Sequence, residues 1–503
     1  MITRSPHHPK ESKKDEPIAG LTPLRQTIEM HFPAYWPAVA LGLATCATLL
    51  LADNSNPVAV IYVGAASSGK TTVASMFEGA TIDVNGTPRD LCYRSDNFTP
   101  ASFVSHAANV SSSQLSKIDL LPQIKDKVLL TPELAPLFRG KEDDLESRFS
   151  TLTRVLDGQG YQTNSGTHGR RGSAGPHMFA WIGCTTPFEE KVWRVMAQLG
   201  SRLFFLLMET PQAVTVDELL ASDQGPSYQE RLNHCKQAVH VFLRDLFAAA
   251  AGIRQVTWNQ GADSSQARRW LVHCAKLLAA MRSEPVEERD SSSAKVIYRP
   301  GSEEQPYRAL SVLSALAKGH ALVHGRQQLT EEDLPLIVRV AASSMPKDRG
   351  TVFKALAAAG GQLTVEQARQ ALGVKSPETA RRRMEYFDAL GVMEFVEAGT
   401  GKPSYLRFKT DWAWCASSEF NALLQGNVPV VTDQGLAGSP EPVKNRGVCA
   451  SSTTPNLVQR QERKERKEEV TKGGHRHTPQ EMTGSPMPKT TRNDHRLLAL
   501  SVA

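Results

Sequence analysis

Gly64, Ala65, Ala66, Ser67, Ser68, Gly69, Lys70, Thr71 and Thr72 form a stretch whose spacing suits phosphate chemistry. Two glycines with four residues between them permit a tight turn, so that successive backbone N–H groups can surround an anion. Lys70 would reach the β- and γ-phosphates of a nucleotide, and the Thr71 hydroxyl would offer an oxygen ligand to magnesium. The stretch therefore implies ATP and Mg2+. Hydrolysis asks for more: a carboxylate beside the attacking water, a polar contact to the γ-phosphate and an arginine for the developing charge. Glu133, closing KVLLTPE, is the candidate base. Thr185, in AWIGCTT, is the candidate γ-phosphate contact, preferred to Thr186. Arg202, ahead of the apolar run LFFLL, is the candidate arginine, placed to reach the ATP of a neighbouring subunit. Each has a plainer reading: an acid opening the next helix, a strand that happens to end in threonines, a solvated cation flanking a strand.

These side chains need elements to hold them. The β-branched run Val58–Val63 leads into the glycine turn and TVASMF follows as helix, the strand–turn–helix context that a phosphate loop requires. Residues 21–211 alternate short apolar runs with helical patterns, which predicts an α/β fold. Residues 212–345 read as mostly helical, interrupted by the loop-like EERDSSSAKVIYRPGSEEQPY. Residues 346–415 read as three helices and two strands. A disordered arm is expected over 1–20 and a disordered basic tail over 416–503, where Pro, Ser, Thr, Gly and charge runs leave little apolar surface to bury.

The 503-residue chain can bury a sizeable core, and its net charge of +6 names no partner. Seven scattered cysteines without a CxxC pair argue against a zinc site and for reduced thiols in a cytoplasmic protein. The polar, basic start lacks the apolar core of a signal peptide. WPAVALGLATCATLLLA, from Trp36, is at the short end for a membrane span and runs almost directly into the candidate nucleotide-binding strand, so a buried core helix and no membrane partner are expected.

The ordered series GAASSGKT, TPE, a strand ending CTT, and SRLFF resembles AAA+ P-loop ATPases, and within them the minichromosome-maintenance-like helicases of bacterial or mobile-element origin. PYRALSVLSALAKGHALVHGRQQLTEEDL resembles that group's helical lid. The resemblance covers roughly residues 30–345 and implies an AAA+ core, a ring-shaped homo-oligomer (a hexamer among the options) and a second γ-phosphate-contacting arginine at Arg308. Two departures stand out: Pro132, where an aspartate commonly holds magnesium through water, and Leu203-Phe204, where the group usually has Phe-Asp. The family's N-terminal DNA-binding domain is not recognisable.

Nucleic-acid contact has two candidate sources. DGQGYQTNSGTHGRRGSAGPHMF carries His168, Arg170 and Arg171; the resemblance makes it a pore hairpin, while the plainer reading is an active-site loop with solvated arginines. Residues 346–415 read as a winged helix whose third helix holds Arg381, Arg382 and Arg383, three successive positions that cannot share one tight face. Winged helices also dock proteins. His320 and His324 lie one helical turn apart and read as a packed or surface pair. The expected function is an ATP-hydrolysing motor, a DNA helicase or translocase. Two alternatives stay open: a protein remodeller or nucleotide-gated switch, and an ATP-controlled DNA-binding regulator.

Overall fold

The computed structural model describes residues 20–429 except 85, 106–111, 166–168, 201, 209–214, 218–219, 221–224, 290–295, 302–303, 398 and 400–401. Its centre is a sheet of five strands: β1 (Val58–Val63), β2 (Cys92–Arg94), β3 (Val128–Thr131), β4 (Ala180–Thr185) and β5 (Leu203–Leu207). They pair in the order β2-β3-β4-β1-β5, every pair parallel. VAVIYV is apolar throughout because β1 is covered on both faces. Val58, Val60 and Tyr62 face one core, and Ala59, Ile61 and Val63 face the other. The helices Glu142–Val155 and Glu190–Leu199 cover the second face; Trp36–Ala47, Lys70–Phe77, Tyr228–Ala249, Ser265–Arg282 and Tyr307–Val323 cover the first.

The apolar segment near the N-terminus is the innermost of these layers. Pro33–Leu50 is long and apolar enough to cross a membrane by length and composition, and 72% of it is buried inside the chain. A Cβ on Gly42 would lie 2.4 Å from Phe77 Cζ, and one on Gly319 would lie 2.2 Å from the Ala44 carbonyl oxygen. Helix Trp36–Ala47 therefore meets Phe77 and helix Tyr307–Val323 at contacts that only glycine allows. Tyr62 Oη donates to the Ala38 carbonyl at 2.8 Å, pinning the helix to β1.

Beyond the sheet, the loop-like stretch expected near residue 290 contains an antiparallel pair, Val286–Arg289 with Val296–Arg299. His320 and His324 pack together, and His320 Nδ1 lies 2.7 Å from buried Asp333, which also takes two hydrogen bonds from Arg326. Residues 347–408 run helix, strand, helix, helix, strand, strand, one short strand more than the sequence pattern indicated: Gln362–Thr364 pairs with Tyr405–Phe408, which also pairs with Met393–Val396. The boundary set at 415 cuts through a packed unit. Ser417 caps a helix Ser418–Leu424 whose Phe420 and Leu423 are buried, so the tail expected from 416 begins with folded chain.

Candidate functional site

Parallel strands all present their C-terminal ends at one sheet edge, and there the loop leaves β1 for helix Lys70–Phe77. Gly69 has φ +84°, and Ser67 also adopts a left-handed conformation, at φ +62°. Gly64 N–H donates to the Thr185 carbonyl at 3.2 Å, which ties the loop to the end of β4. Lys70 is buried and donates from Nζ to the carbonyls of Gly64 (3.0 Å) and Ala65 (2.6 Å) and to Ser68 Oγ (3.2 Å). Burial lowers its pKa, against the pull of the nearby Glu133 carboxylate. Lys70 thus satisfies itself on the loop's own carbonyls at the place where a phosphate oxygen would serve.

Glu133 comes to the same edge because Leu134 N–H donates to the Cys184 carbonyl at 2.8 Å, joining the ends of β3 and β4. Its carboxylate is exposed and accepts from Ala135 N–H at 2.8 Å. Thr131 turns away, its hydroxyl accepting from Trp181 Nε1 at 3.0 Å. Thr185 stands in register beside Val63, buried, with its hydroxyl donating to the Thr186 carbonyl at 3.0 Å. Cys184 lies beneath, its thiol pushed up by burial to about 12, so it is a neutral packing group rather than a nucleophile. Among the described residues no group of three or more His, Cys, Asp or Glu side chains could hold a metal ion. The exposed Thr71 hydroxyl and Glu133 are hard oxygen groups of the kind that bind magnesium together with phosphates and water.

The two arginines lie elsewhere. Arg202 directly precedes β5 and Arg308 bonds to Asn56, two residues before β1, so both sit at the N-terminal edge of the sheet. The six residues of β1 separate that edge from the loop by about 20 Å. Arg308 therefore lies out of reach of a phosphate held at the loop of its own chain. Both guanidinium groups pair with Asp157, Arg202 at 3.4 Å and Arg308 more tightly. Arg202 also donates to the Gly200 (2.6 Å) and Leu199 (3.1 Å) carbonyls. Burial and the charge of Arg202 lower the Arg308 pKa against the pull of Asp157. Arg154 also reaches Asp157, at 3.5 Å, so one carboxylate serves three guanidinium groups.

An aromatic group beside the loop had no sequence signal. A Cβ on Gly69 would lie 2.1 Å from Tyr35 Cζ, so the Tyr35 ring rests on the loop. Phe32 stacks on Tyr35 at 5.4 Å, and Tyr228 meets Phe32 edge-on at 6.1 Å. Tyr228 Oη lies 2.9 Å from Thr72 Oγ1. The SYQE pattern does mark a helix start at Tyr228, and the Ser227–Glu230 capping box forms, but nothing in the chain links it to Thr72.

The nucleic-acid candidates divide. Gly160–Ser165 and Gly169–Ala174 form an antiparallel hairpin carrying Arg170 and Arg171; His168 lies outside the described residues. On helix Pro377–Asp388, Arg381 pairs with Glu385 and Glu397, and Arg382 with Glu378. Arg383 reaches Glu190 at 3.1 Å and Asp348 at 3.8 Å, contacts that seat this helix on the sheet domain.

The sequence matches no protein-family model and no curated protein sequence. Among solved structures the chain is similar to a full-length MCM homolog from Methanopyrus kandleri, at 11% identity and a TM-score of 0.32, covering 68% of this chain and 64% of that one. It thus spans less than two thirds of that structure's length. It is also similar to the active helicase Cch of SCCmec type IV, at 11% identity and TM-score 0.31, covering 82% and 75% of the two chains. A third similar structure is the apo C-terminal region of NrS-1, at 11% identity and TM-score 0.23, covering 78% and 76%.

Proposed function

We propose that this protein is an ATP-hydrolysing motor whose complete sites form between copies of the chain and whose turnover drives movement on DNA. One observation carries the reading. Lys70, Glu133 and Thr185 gather at one edge of the sheet, while Arg202 and Arg308 are held together at the other. Half of the charge-handling apparatus is therefore out of reach in a single chain, and a head-to-tail ring supplies it from the neighbour. The strand order, with β4 inserted between β1 and β3, agrees with the AAA+ reading, and residues 347–408 follow the element order of a winged helix.

In this mechanism Lys70 exchanges the Gly64 and Ala65 carbonyls for β- and γ-phosphate oxygens. Thr71 would hold magnesium, which would supply charge neutralisation at the phosphates. Glu133 accepts a proton from the attacking water, and Thr185 turns its hydroxyl from the Thr186 carbonyl to the γ-phosphate. Arg202 and Arg308 of the neighbouring copy offset the charge that develops on the transferred group. Tyr35, Phe32 and Tyr228 form the wall on which the base rests, after Tyr228 releases Thr72.

Mixing two inactive variants tests the shared site. Lys70→Ala cannot bind phosphate, and Arg308→Ala lacks the donated arginine; each alone should lose roughly 10³-fold or more in turnover. Mixed together they should regain a measurable fraction, because an Arg308→Ala chain beside a Lys70→Ala chain has a complete site. No recovery in assembled mixtures sinks the shared-site assignment. A second reading, a remodeller or switch, draws on the ion pairing of Arg381, Arg382 and Arg383 and on Pro132 before the base. It requires turnover indifferent to single-stranded DNA.

A further inference from the structure

A cleft of about 500 Å3 opens between the segment Asn97–Val104 and the hairpin described above. One wall carries Phe98, Pro100 and Val104, and the hairpin contributes Tyr161 and Thr163. Phe98 is held in place from behind, edge-on against Phe103 at 5.2 Å and tilted on buried Trp181 at 5.6 Å. Its ring is therefore a fixed surface rather than a mobile one.

The hairpin register decides what stands beside this cleft. Tyr161 lies opposite Ser173, and Thr163 opposite Arg171. Directly opposed residues of an antiparallel pair project to the same face. Arg171 thus shares the face of Tyr161 and Thr163, and all three are half-buried, whereas Gln162, Asn164 and Arg170 are exposed on the other. Arg170 bonds to Gln162 on that outer face. The two adjacent arginines consequently do different things: one flanks the cleft and one meets solvent.

We infer that the cleft between Phe98 and Tyr161 takes up an unstacked base of a single-stranded nucleic acid, with Arg171 contacting the adjoining phosphate. This rests on the nucleic-acid part of the proposed function but goes beyond it, since tracking a backbone needs no base pocket. Aromatic faces accept any base, so the site captures single strands without reading sequence. An intact duplex, whose bases are stacked, has nothing to offer it. The same cleft reaches the helical turn Ala135–Phe138 that follows Glu133. Pro136 and Leu137, three and four residues after Glu133, line it, and Arg148 donates to their carbonyls at 2.9 and 3.1 Å. A base in the cleft therefore presses on the segment that carries Glu133.

The test compares three labelled strands of equal length binding to the full chain: oligothymidylate, oligouridylate and an abasic deoxyribose-phosphate strand. The abasic strand should bind roughly tenfold more weakly than either base-bearing strand, which should bind alike. Tyr161→Ala removes one side of the cleft and Thr163→Trp fills it. Both should erase the preference for bases while retaining the affinity for the abasic strand, which shows that each variant is folded. Arg171→Ala should weaken all three strands and reduce the slope of log Kd against log salt by about 1. Equal binding of abasic and base-bearing strands by the wild type overturns base capture and leaves backbone tracking intact. Binding of none of them overturns the nucleic-acid reading, and this inference with it.

Discussion

Lys70 shows how much a single residue can report. In the free protein it is buried and bonded to neutral carbonyls, and burial lowers its pKa below the ordinary 10.5. A phosphate brought to the same ammonium stabilises the charged form and raises the pKa again. Nucleotide binding should therefore take up protons between the lowered value and the raised one, and affinity should fall as pH rises through the lowered value, already on the acid side of 10.5. Calorimetric titrations in buffers of different ionisation enthalpy measure that uptake; an alkaline affinity without proton linkage overturns the assignment. The fate of Lys70 was legible because the glycine spacing forces the loop geometry. The Tyr35 ring on Gly69 was not, since 34 residues of chain separate them and no local pattern encodes the approach.

At the scale of elements, the fold depends on close helix crossing more than on any single ion pair. Helix Tyr307–Val323 crosses Trp36–Ala47 where Gly319 meets the Ala44 carbonyl, and a backbone oxygen cannot move aside as a side chain can. Gly319→Ala should cost about 1–3 kcal/mol by overpacking, and Gly319→Val more. Thermal unfolding measures the loss, and an unchanged midpoint contradicts the tight crossing. The same crossing sets the position of Arg308, which lies in the first turn of that helix. Apolar periodicity made the helix visible in the sequence. The edge of the sheet at which Arg308 emerges was not visible, because that depends on which way the helix lies across β1. Asp157, which holds Arg308 to Arg202, follows helix Glu142–Val155 in an Asp-Gly pair that reads as an ordinary turn.

For the whole molecule, the question is what the C-terminal helices and strands are fastened to. Arg383 bonds to Glu190 on the sheet domain, and Arg349 donates to the carbonyls of Met281 and Ser283 and pairs with Glu284. Arg282 in turn donates to the carbonyls of Ser344 and Leu203, the residue after Arg202. Residues 347–408 are thus fastened to the strand that follows Arg202. Reversing the Arg383–Glu190 pair tests this seating. Arg383→Glu alone should lower thermal stability by about 1 kcal/mol, as expected for a half-exposed pair, and adding Glu190→Arg should recover part of it. Affinity for duplex DNA should stay within experimental error in Arg383→Ala; a large loss would return Arg383 to the DNA surface.

The sequence by itself determined the glycine turn, the apolar strand before it and the helix after it, the order of the later segments and the core nature of the Trp36 helix. All of these follow from local spacing, periodicity and turn chemistry, which act within a few residues of chain. Only the tertiary structure decided that Arg202 and Arg308 share Asp157 at the edge remote from Lys70, that Arg383 is an internal fastening, and that Tyr161 and Arg171 flank a cleft with Phe98. Each of these is a matter of which face or edge a side chain reaches, and that is set by strand register and helix direction across the whole sheet.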